Sequence, residues 1–137
     1  MLNPATETGF PVGFWLAMAG LLGGLAVAAG AFGAHALEGK LSSHYLTVYE
    51  TAVQYQMYHA LALLGLALLG AVLPDAAWLR PGAWAFLVGT VLFSGSLYAL
   101  VFSGIRMLGM ITPIGGVAFL VGWGCLVLAG FRAGSGS

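Results

Sequence analysis

The chain has 137 residues, of which 61% are hydrophobic and only 6% charged, and its formal net charge is zero. Soluble domains carry roughly 25% charged residues. This chain therefore lacks the charge to keep a globule in water, and it has no basic footprint for nucleic acid. Its mean hydropathy of +1.00 points to a membrane. The lone Cys125 cannot close an intrachain disulfide, no metal-ligand spacing surrounds it, and no cofactor is expected.

In chain order, Met1–Gly9 reads as a short polar tail and residues 10–37 as the first hydrophobic segment. Ala34-His35-Ala36 has the form of a signal-peptide cleavage site, but there is no basic region before the segment and its apolar run is too long for a signal core. About 25 residues at 1.5 Å each cross the ~30 Å hydrocarbon layer, so a transmembrane helix is predicted. On its wheel Gly20, Gly24, Ala28, Ala31 and His35 share one face, and Phe14, Leu21, Leu25 and Phe32 another. Small residues let membrane helices approach closely, so the small face is expected to meet a partner helix and the bulky face lipid.

After a polar turn, in which Ser42 or Ser43 can cap the next helix, a second helix is predicted over 45–73. It starts polar and ends as an Ala/Leu run. At about 43 Å it exceeds the hydrocarbon thickness, so its first turns must project, tilt or lie in the interface. Leu46, Tyr49, Val53, Met57, Ala60 and Leu64 form an apolar stripe of helical period; Glu50, Thr51, Gln54, Tyr55, Tyr58 and His59 occupy the opposite arc. Pro74-Asp75 ends that helix. Pro81 can open a third over 81–102, with Ser94 and Tyr98 on one face, and Thr112 can cap a fourth over 112–131. Gly115, Ala118, Gly122, Cys125 and Ala129 make a small seam along the fourth. Residues 134–137, GSGS, resemble an engineered linker and are set outside a single domain of residues 1–133.

The fold class is thus all-α, an integral membrane bundle of four transmembrane helices, with both termini on one side. The positive-inside rule does not choose that side, because Arg80 and Arg132 tie with Lys40 and Arg106.

The candidate chemistry lies in polar groups at membrane depth, which are expensive there and usually face a bundle interior. His59 suits a proton relay or ligand site, or is a neutral histidine bonded to Tyr55, Ser94 or a carbonyl. Glu50 and Gln54, an i, i+4 pair, could handle a cation or sit at headgroup level. His35 could stabilise the end of the first helix. His35 and His59 differ in depth by about 5–15 Å along the helices, which argues against a shared haem. No phosphate loop, nucleophile elbow or zinc motif is present. Glu50, Gln54 and His59 are expected to point inward and to join one polar network through Thr51, Tyr55, Tyr58 and Ser94.

The blocks GAFGAHALEGKL (30–41), YETAVQYQMYHALALL (49–64), SGSLYAL (94–100) and ITPIGGVAFLVGW (111–123) resemble the YgdD-like family of small inner-membrane proteins with a domain of unknown function. The likeness spans nearly the whole chain in order. It implies four membrane helices and supplies no activity, substrate or cofactor. Its polar blocks fall on His35, Glu50, Gln54, Gln56, Tyr58 and His59, which it therefore implies as the places to look. Three functions compete. One is a non-enzymatic protein of the bacterial cytoplasmic membrane that acts through helix packing, lipid contact, or a homo-oligomeric or other membrane-protein partner. The second is a small transporter, channel or proton-coupled carrier. The third is an enzyme or a lipid or quinone binder.

Overall fold

The computed structural model describes residues 9–135. Four helices carry the architecture: α1 (Val12–Phe32), α2 (Ser43–Val72), α3 (Leu79–Ser103) and α4 (Thr112–Ser135). All four are long and apolar enough to cross a membrane, α1 together with the turn that follows it and α4 with the turn before it. A π-helical turn, Gly33–Leu37, ends α1, and a 3₁₀ turn, Arg106–Met110, precedes α4. Ser42 caps α2, its Oγ accepting from the Tyr45 N–H at 3.2 Å. Gly104 ends α3 in the left-handed region (φ 72°), which glycine adopts without steric penalty, and donates to the Leu100 carbonyl.

Three differences in helix boundaries from the sequence reading change the place of a residue named there. Helix α3 starts at Leu79, so Pro81 lies within its first turn, where a missing N–H breaks no bond. Thr112 is the first residue of α4, and its hydroxyl lies 2.6 Å from Ser96 Oγ on α3. Helix α4 continues through Gly134 and Ser135, so half of the supposed linker belongs to the last helix. Residues 136–137 and 1–8, which include most of the polar tail, lie outside the described residues.

The helices pack in sequence, α1 on α2, α2 on α3 and α3 on α4. Helix α2 is the axis. Tyr49, Ala52, Gln56, His59, Leu63, Leu66 and Gly70 are all buried. Their alternating steps of three and four give the 3.5-residue repeat of a packed helix seam. Toward the α2–α3 turn the core is apolar, with Trp15, Leu63, Leu66, Leu79, Ala83, Phe86 and Phe119. Phe10 closes that end. Its ring lies where a Gly70 side chain would be, and its N–H donates to the Pro74 carbonyl at 3.2 Å.

The small faces resolve differently on the two outer helices. On α4, Gly115 lies against the Phe93 backbone and Gly122 against the Phe86 ring, where an added Cβ would come within 2.6 Å. Ala118 is half-buried between them. On α1 the expected face is the wrong one. Gly20, Gly24 and Ala28 are exposed, and a Cβ added at either glycine meets nothing within 4 Å. The packed seam is Ala19, Gly23, Ala26, Gly30 and Gly33, with Gly30 opposite Val53 and Gly33 under the Tyr49 ring. Because α1 is Gly/Ala-rich almost all the way round, small size does not mark one face. The bulky Phe14, Leu21, Leu25 and Phe32 are exposed.

Candidate functional site

The polar half of α2 divides into an inward and an outward set. Gln56 and His59 turn inward and are buried. Glu50, Gln54 and Tyr58 are exposed, and Thr51 bonds only the carbonyl of Thr47, one turn back. The expected single network of Glu50, Gln54 and His59 is therefore not formed. The reason is depth as well as rotation. Helix α2 has 30 residues, about 45 Å against a ~30 Å hydrocarbon layer. With its apolar end at one boundary, Glu50 falls near the opposite headgroups, and an outward carboxylate there escapes the penalty it would meet deeper. Glu50 and Gln54 edge a shallow cleft of about 180 Å³ with Gly30, Gly33, Ala34, Tyr49 and Val53.

His59 sits among aromatic rings. Phe119 of α4 stacks on it with centroids 3.4 Å apart and planes 7° from parallel, and Phe86 and Trp123 complete the surround. Trp123 Nε1 donates to His59 Nε2 at 3.2 Å, and His59 Nδ1 lies 2.8 Å from the Tyr55 carbonyl. An indole nitrogen can only donate. Nε2 must then accept, which places the single imidazole proton on Nδ1, aimed at Tyr55. His59 in this arrangement is neutral and joins α2 to α4.

Gln56 forms a second centre. Its Nε2 donates to the Leu22 carbonyl on α1 at 2.9 Å, and its Oε1 accepts from the Tyr98 hydroxyl on α3 at 2.8 Å. Tyr49 donates to the Ala29 carbonyl and packs against Tyr98 at 5.5 Å. One side chain thus joins three helices. Ser94 is buried and donates to the Ala52 carbonyl at 2.7 Å, a second hydrogen bond between α2 and α3. It does not bond His59. His35 is exposed in the π turn after α1 and does not meet His59.

The sequence reading missed Tyr98, Tyr49 and Trp123 as members of these centres. For Trp123 a signal existed: an indole N–H inside hydrocarbon requires an acceptor, and His59 is the one imidazole on the apolar stretch of α2. For Tyr98 the i, i+4 spacing to Ser94 placed both on one face of the third helix, but nothing singled out Gln56 as the acceptor.

Four apolar helices held together by polar links make this an integral membrane protein. Residues 29–116 match the model of a family described as "Protein of unknown function (DUF423)", and the chain belongs to that family. It is 50% identical over 109 residues to UPF0382 membrane protein SAB0533 of Staphylococcus aureus, covering 79% of this chain and 87% of the relative. It is 50% identical over 108 residues to UPF0382 membrane protein YwdK of Bacillus subtilis, covering 79% and 88%. To UPF0382 membrane protein SERP0230 of Staphylococcus epidermidis it is 51% identical over 106 residues, covering 77% and 84%. No solved structure matches.

Proposed function

We propose that the protein is a non-enzymatic component of the bacterial cytoplasmic membrane that acts through its lipid-facing and partner-facing surface, and that the YgdD-like inner-membrane proteins are its kin. The observation that carries this reading is how the inward polar groups are used. Gln56, His59 and Ser94 each bond a neighbouring helix, and no buried side-chain N or O among the described residues is left without a partner. Leu63, Phe86 and Leu66, at most 1% exposed, fill the space beyond them toward the α2–α3 turn. A carrier needs polar groups free to exchange partners along a wet path; these are committed to holding helices together. Bacterial relatives named as membrane proteins support the cytoplasmic membrane as the location.

The test is flux. Purified protein in liposomes, under an imposed pH gradient and then a potassium diffusion potential, is expected to leak protons and alkali cations no faster than empty liposomes. Flux above that baseline which His59→Ala abolishes would establish the carrier reading in its place.

A further inference from the structure

Between α1 and α3 the surface is indented, with polar groups at the floor of the indentation. Helices α1 and α3 touch near the α2–α3 turn, where Trp15 and Trp84 meet edge to face at 4.9 Å. Toward the other end they part, and a cavity of about 350 Å³ opens between Leu25, Ala29 and Phe32 of α1 and Tyr98 and Phe102 of α3. Its floor is Tyr49 and Gln56 of α2. The volume is within the range of small-molecule sites. Leu25, Phe32 and Phe102 are 53%, 51% and 60% exposed, so the mouth opens sideways into lipid.

The polar groups at the floor have capacity left. A primary amide has two N–H donors, and Gln56 gives one to Leu22. Tyr98 spends its proton on Gln56, so its oxygen is still an acceptor. The cavity therefore offers one donor and one acceptor within hydrocarbon. It also offers the rings of Tyr49, Tyr98 and Phe102, with Tyr49 centroids 5.5 and 6.0 Å from the other two. A saturated acyl chain would leave the amide N–H unpaired, which is unfavourable in an apolar medium.

We infer that this cavity is a binding site for the ring of a lipid-soluble quinone, with its isoprenoid tail lying outside in the bilayer. A quinone carbonyl accepts the free Gln56 N–H. A quinol hydroxyl donates to Tyr98 Oη, so both redox forms find a partner. This site goes beyond the surface role proposed above and does not depend on whether the bundle conducts.

Full-length protein in lipid nanodiscs, irradiated with an azido-quinone, tests it. Labelled peptides are expected to map to Tyr49, Tyr98 or Phe102, and excess decylubiquinone should suppress the label where decanol does not. Phe102→Ala, at an exposed wall position that leaves the core intact, should weaken competition by about fivefold. Gln56→Met should weaken it by about tenfold, the scale of one hydrogen bond. If Gln56→Met does not fold, Phe102→Ala decides. Label spread over the lipid-facing helices, equal suppression by decanol, or wild-type competition in Phe102→Ala would overturn the site; decanol suppression would assign the cavity to an acyl chain.

Discussion

His59 and Trp123 form a pair whose value depends on both members. Removing the donor, in Trp123→Phe, leaves His59 Nε2 beside a ring edge and is expected to destabilise by about 1 kcal/mol. Removing the acceptor, in His59→Phe, strands an indole N–H and is expected to cost about 1–3 kcal/mol. The double variant should cost less than the sum of the two. Unfolding in mixed detergent micelles, read as a double-mutant cycle, checks this; strict additivity would mean that the 3.2 Å contact contributes nothing. The sequence marked His59 as the residue to follow, and it also marked Glu50 and Gln54, which turn outward. Polar side chains surround most of the first half of α2, so a helical wheel alone cannot choose the inward arc. The choice is made by the seam from Tyr49 to Gly70, which becomes distinct only when α1 and α3 are in place.

Glycine has opposite meanings on different helices. On α4, Gly115 and Gly122 admit the Phe93 backbone and the Phe86 ring of α3. Gly115→Ala should lower the midpoint of thermal unfolding in detergent sharply, because backbone cannot move aside as a flexible side chain can. Gly122→Ala should lower it as well, since the Phe86 ring must shift within a filled core. Gly24→Ala, on the open face of α1, should leave stability unchanged or raise it slightly, since alanine favours a helix over glycine by roughly 1 kcal/mol. Equal losses at Gly24 and Gly115 would show that α1 has its other face against the bundle. The number and order of helices were readable because hydrocarbon thickness sets the length of every apolar run. The face of α1 was not, because Gly/Ala patterning carries contrast only where large residues interrupt it. Trp15 is buried on the packed side with Met18 and Leu22 partly buried beside it, but Phe14, Leu21 and Leu25 next to them in sequence are exposed, so large residues also fall on both faces.

Across the whole molecule, the α2–α3 turn at Asp75 and the α1–α2 turn at Gly39 lie at opposite ends of α2. Single cysteines introduced at Asp75 and Gly39 in a Cys125→Ala background should react with a membrane-impermeant maleimide from opposite sides. Reaction from one side only would mean that α2 does not cross. That experiment also supplies the orientation that the balanced arginines and lysine withhold. The fastening at the Asp75 end bears on how the protein is made. Phe10 sits on Gly70 and bonds Pro74, and the Arg80 guanidinium donates to the Gly9 carbonyl at 2.9 Å, 71 residues along the chain. During synthesis α1 leaves the ribosome before α2–α4, and none of these partners exists until α2 and the start of α3 have followed. Of these four helices, α1 is thus fastened at that end only after the α2–α3 turn and the start of α3 arrive, and a chain stalled before Gly70 carries α1 with no clasp there.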